Sequence, residues 1–200
     1  MAFTGPEYDG ILYNEPLCTE LKSIEVYVIF LHELSHIFCV HNEIRGGNFY
    51  EKYCSNTTEN VYTNGIMNAG YAVWREFIAG VMTDCVFEYS MDGNLSNFRP
   101  EIMWHWERIA PEISNAKRHL SELLVLLITS KEIALANTWD EVRKYVQELN
   151  VTDVEVFYNL VKTVWENLYV GDYWEIDEEF IHSLGSMYLS LLTIKHMESL

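Results

Sequence analysis

The stretch Ile29-Phe30-Leu31-His32-Glu33-Leu34-Ser35-His36-Ile37-Phe38-Cys39 carries most of what this 200-residue chain discloses about itself. It sits inside a longer run in which Leu17, Leu21, Ile24, Val28, Leu31, Leu34 and Phe38 recur at helical spacing. That periodicity predicts one helix running to about Asn42 and stopping before Gly46-Gly47. On such a helix His32 and His36 lie on one face, a turn apart. Two neutral imidazoles at that separation both reach a single Zn²⁺ at about 2.0–2.1 Å. Glu33 points beside the metal, where it can take a proton from an activated water and pass it to a leaving amine. Glu33 is the charged residue of an otherwise apolar segment. Three ionisable groups buried without a partner are costly, and a metal supplies the partner. The bare H-E-x-x-H pattern arises by chance in about 3% of chains of this composition, so its apolar setting matters. The plain alternative is a helix with two surface histidines.

A third protein ligand is needed. The longer pattern H-E-x-x-H-x-x-G-x-x-H fails, because Cys39 and Asn42 stand at its glycine and third-histidine positions. His41, five residues after His36, turns away from the metal face. Glu76 is the best candidate. It lies in Ala72-Val73-Trp74-Arg75-Glu76-Phe77-Ile78-Ala79, an apolar helix where a carboxylate is out of place. Arg75 is its chain neighbour, and adjacent helix residues are not expected to face each other. Asp84 and Glu88 are weaker alternatives on the same helix, and a solvated Glu76 is the plain one.

With these residues the chain resembles the gluzincin zinc metallopeptidases, which carry H-E-x-x-H on one helix and a zinc-binding Glu on the next. In layout it is similar to the compact bacterial intracellular metalloproteases of the ImmA/IrrE type. The resemblance covers about residues 20 to 90. It implies His32, His36 and Glu76 as zinc ligands, Glu33 as general base, and a peptide or protein as substrate. The chain departs from that pattern at two points. Gluzincins often place an Asp four residues after the third ligand, where this chain has Gly80. They also place a β-sheet before the active helix, and only some 16 residues precede it here.

Outward from the motif, the sequence reads as mainly α: a zincin-like active-site helix pair, a helical C-terminal lobe, and at most a small N-terminal strand or hairpin around Ile11 to Tyr13. Asn14 and Pro16 suit the start of the first helix. Residues 43 to 65 read as a long polar loop, and a second helix is expected over about Met67 to Tyr89. A third helical region spans Pro100 to Glu132 with a break at Pro111. Thr138-Trp139-Asp140-Glu141 and Thr152-Asp153-Val154-Glu155 are capping boxes, and Asp177 is a cap for the last helix. Leu123 to Ile128 and Leu189 to Ile194 read as buried faces. A division into residues 1–98 and 99–200 is expected, within one domain or as two lobes.

The formal net charge of −17 repels phosphate backbones and anionic bilayers, which argues against nucleic acid and membrane as partners. Cys18, Cys39, Cys54 and Cys85 have neither zinc-knuckle nor disulfide-framework spacing, as expected of idle thiols in a reducing cytoplasm. The apolar runs fall short of the roughly 20 residues that span a bilayer.

Rival readings follow from the same residues. A second E-x-x-H, Glu179-Phe180-Ile181-His182, together with a glutamate such as Glu122 permits a di-iron carboxylate bundle, although this leaves His32 unexplained. A zinc-stabilised binding or regulatory module that cleaves nothing has no need of Glu33. For stabilising an oxyanion, His182, Tyr173, His105 and Tyr71 are all conceivable.

Overall fold

In the computed structural model, the described residues are 2–5, 8–13, 15–42, 61–87, 94–109, 112–149, 154–168 and 177–198. They form a mainly α fold with a small N-terminal hairpin. Strands β1 (Ala2–Gly5) and β2 (Tyr8–Tyr13) pair antiparallel, with Ala2 opposite Tyr13 and Gly5 opposite Tyr8. A short helix α1 (Glu15–Glu20) and the motif helix α2 (Ser23–His41) follow. The hairpin lies against α2, where the Tyr13 and Phe30 rings meet at 5.5 Å.

The single helix expected over Leu17 to Asn42 is thus two. The break falls at Leu21-Lys22, where the Lys22 backbone N–H donates to the Glu25 carboxylate at 2.7 Å. This is the backward-reaching half of a capping box, and it starts α2 with Lys22 as its N-cap. The face of α2 turned inward also differs from the apolar stripe. Leu21, Ile24, Val28, Leu34 and Phe38 are exposed, whereas Ser35, His36 and Cys39 are buried. The helix is apolar on every side, so its periodicity does not choose a face. Packing against the next helix does.

That helix, α3 (Val61–Phe87), is the central element and packs against α2 and two later helices. It starts six residues before Met67, because Ile66 and Met67 are already buried in the core. Helix α4 (Leu95–Arg108) starts before Pro100, capped by the Asn94 side chain accepting from the Asn97 N–H. Pro100 sits in its second turn, at the loss of one backbone hydrogen bond. A 3₁₀ turn (Ile113–Asn115) leads into α5 (Ala116–Thr129), so the helices part around Pro111, which itself lies outside the described residues. Helices α6 (Lys131–Ala134), α7 (Trp139–Glu148), α8 (Val154–Leu168) and α9 (Glu178–Glu198) complete the order.

Thr138 caps α7, and the Asp177 carboxylate accepts from the Phe180 N–H at 2.8 Å to cap α9. Asn14 and residues 151–153, with the second capping box, lie outside the described residues. Leu123 to Ile128 is buried apart from the half-covered Leu126, while Leu189 is exposed and Leu191 carries the inward face of α9. The side chain of Ile194 lies outside the described residues.

Two close approaches hold α3 in place. A Cβ on Gly70 would collide with the Ile181 carbonyl oxygen, and a Cβ on Gly185 with the Ile66 carbonyl oxygen, so α3 and α9 touch backbone to backbone. On another side, a Cβ on Gly80 would stand 2.7 Å from a Val125 methyl of α5. The buried Ser121 hydroxyl of α5 donates to the Val73 carbonyl oxygen at 2.9 Å. Buried residues from Cys39 to Leu191 form one cluster. No helix among the described residues is long and apolar enough to cross a membrane.

Candidate metal centre

Helices α2 and α3 meet along the face of α2 that carries Ser35, His36 and Cys39. Ser35 can be buried in this interface because its hydroxyl donates to the Leu31 carbonyl oxygen one turn back. Cys39 packs its sulfur 3.7 Å from that of Met82 on α3, and burial pushes its thiol up to about 11, which makes it an inert packing group.

The same interface brings three sequence-chosen residues to one point. His32 Nε2 lies 3.3 Å from Glu76 Oε2, and His36 Nε2 lies 3.5 Å from Glu76 Oε1. The two imidazole rings are edge to face at 4.9 Å. Ligand atoms of His32, His36 and Glu76 all lie within 4.8 Å of one another. Nitrogen and oxygen donors bonded tetrahedrally to one zinc at about 2.0–2.1 Å are separated by little more than about 3 Å. The donors therefore fit that ion in number and type, and each histidine stands at about that separation from Glu76. His36 is 8% exposed, against 22% for His32 and 27% for Glu76, so the cluster opens on the side of His32 and Glu76. Glu33 is half-buried beside the two histidines on α2.

Electrostatics favour an ionised Glu76. Burial pushes its carboxyl up, but the hydrogen bonds with His32 and His36, aided by the charges of His36 and Arg75, outweigh burial and hold it far below the usual carboxylate range. Arg75 contributes directly: its Nη2 lies 3.3 Å from Glu76 Oε1. Adjacent helix residues were not expected to meet, yet the guanidinium at the end of this long side chain reaches its neighbour's carboxylate.

His36 Nδ1 is buried without a hydrogen-bond partner. In a metal site the second ring nitrogen normally donates to a carboxylate or carbonyl. At Gly80, where gluzincins often carry an Asp for such a role, a Cβ would stand 2.7 Å from a Val125 methyl, so a side chain there forces Val125 to shift.

The other sequence-chosen residues disperse. Glu179 and His182 are exposed on α9, and Glu122 pairs with Arg118 on α5. Among the described residues the second E-x-x-H joins no metal-binding cluster. Tyr71 is buried and stacks on Trp74. The Asp84 side chain, Glu88 and Tyr173 lie outside the described residues. His105 belongs to a network that sequence reading did not resolve. Its Nδ1 lies 3.1 Å from His119 Nδ1, and His119 Nε2 lies 3.2 Å from Glu112 Oε2. These residues come from α4, α5 and the turn between them, and no local spacing signals their meeting. His105 is held down at about 4 by burial and by the charges of His119, Arg118 and Arg108.

Fold and site together define a mainly helical chain with a two-histidine, one-carboxylate cluster at a helix pair. No protein-family model matches this chain, and no curated protein or solved structure is significantly similar to it.

Proposed function

We propose that the chain is a zinc-dependent metallopeptidase of gluzincin type, acting on peptides or proteins in the cytoplasm. The observation that carries this reading is the convergence of His32 Nε2, His36 Nε2 and the Glu76 carboxylate, with Glu33 beside them on α2. A zinc held by His32, His36 and Glu76 would supply a bound water with its pKa lowered towards about 7 and a Lewis acid for the scissile carbonyl. The chain's own residues divide the remaining work. His32 and His36 offer imidazole lone pairs from one helix, and Glu76 adds a negative charge from the other. Glu33, which is not a metal ligand in this scheme, takes the proton of the attacking water and returns it to the leaving amine. The −17 charge favours peptides over nucleic acid or anionic lipid as partners.

The test is Glu33→Gln. Metal content and fold should be retained, while peptide hydrolysis falls by about 10²–10⁴-fold, the contribution of a positioned general base. A variant that cleaves a verified substrate as fast as the parent overturns the assignment.

A second reading, a zinc-stabilised binding module, is favoured by one observation. The apolar face of α2 formed by Ile24, Val28, Leu34 and Phe38 is exposed on the same helix as the cluster, and contiguous apolar surface marks interaction sites. A parent chain that holds zinc and hydrolyses nothing across a broad peptide library favours this module.

A further inference from the structure

We infer that Arg75 is the substrate-anchoring residue of this centre, gripping a carboxylate of the peptide beside the metal. This rests on the metallopeptidase reading and goes beyond it by naming a substrate class. Arg75 Nη2 lies 3.3 Å from Glu76 Oε1, so the guanidinium is one carboxylate away from the cluster's donor atoms. Its side chain is 44% exposed and that of its partner Glu76 27%, whereas His36 is enclosed.

A guanidinium has five N–H donors in a planar fork. Contact with Glu76 through one nitrogen leaves the geometry to engage a second carboxylate side-on. The charge count points the same way. Two neutral imidazoles and one carboxylate leave a divalent ion with a net positive charge, and Arg75 adds another next to it. The rest of the chain carries a formal −17 and repels anions at long range. A substrate carboxylate is therefore held only where local positive charge is concentrated, and this corner of α3 is such a place.

Consecutive Cα atoms are about 3.8 Å apart, so a carboxylate gripped here belongs within about one residue of the bond at the metal. Two sources share that chemistry: the free C-terminus of a peptide, and an acidic side chain flanking the scissile bond.

The experiment uses the full chain loaded with Co²⁺ and follows the cobalt absorption bands, so that no turnover is required. The probes are N-acetylphenylalanine, its neutral amide, and N-acetylglutamate α-amide. The parent should bind at least one of the two carboxylates more tightly than the neutral amide. In Arg75→Gln that preference, read at saturating Co²⁺ as the ratio of carboxylate to amide affinity, should fall about tenfold or more. Arg75→Lys should retain part of it, since the charge stays and the fork is lost. Loss for N-acetylphenylalanine alone assigns the C-terminus, and loss for the glutamate probe alone assigns the side chain. A preference that survives Arg75→Gln within twofold for both carboxylates overturns the inference while leaving the metal centre standing. A parent chain that takes up no cobalt overturns the metal reading, and this inference with it.

Discussion

Substituting Gly80 by Asp tests why the carboxylate that gluzincins often carry at this position is absent from this helix pair. A Cβ on Gly80 would stand 2.7 Å from a Val125 methyl, roughly 1 Å inside ordinary carbon contact. Val125 is 4% exposed in the core on α5, so it has little room to retreat. Forcing extra atoms into such a contact costs about 1–3 kcal/mol. Replacing glycine in a helix interior recovers at most about 1 kcal/mol, and less for Asp than for Ala. An Asp also brings a carboxylate against an apolar partner, adding about 1–3 kcal/mol. Gly80→Asp should therefore destabilise by about 1–6 kcal/mol, and Gly80→Ala by about 0–2 kcal/mol. Val125→Ala alone should cost about 2 kcal/mol through the cavity it leaves. If the clash is the cause, the double variant will be more stable than the two single costs added together predict, by at least about 1 kcal/mol. Urea unfolding followed by circular dichroism gives all four corners of the cycle. Strict additivity, within about 0.5 kcal/mol, would refute the packing explanation of Gly80.

Two further outcomes follow from the same structure. The purified chain should hold about one zinc per molecule, and His36→Ala, which removes the most enclosed donor of the cluster, should abolish it by metal analysis; two irons per chain would sink the zinc centre. His105, held down at about 4 from an ordinary 6.5, stays neutral in the fold while an unfolded chain takes up the proton. Its contribution, about 3 kcal/mol, is present above pH 6.5 and lost as pH falls through about 4. His105→Phe should flatten the stability profile between those values, and parallel profiles for parent and variant would show that the titration lies elsewhere.

The sequence by itself carried the helical class, a strand at Ile11 to Tyr13, a helix start next to Pro16, the caps at Thr138 and Asp177, and the ligand candidates His32, His36 and Glu76. These are local or periodic signals. A cap needs only the next three residues, and two histidines four apart share a face wherever the helix goes. Glu76 was readable because a carboxylate in an apolar run is costly unless something pairs with it. Only the tertiary structure decided the rest. Helix α2 is apolar all round, so contact with α3 selected its buried face and left Leu34 and Phe38 outside. The Gly70–Gly185 approach of α3 and α9 and the meeting of His105 with His119 join residues far apart in the chain. So does the wedge of Val125 against Gly80. No local spacing encodes such pairings, because they depend on how closely whole helices can approach, which is settled by the volume of every side chain between them.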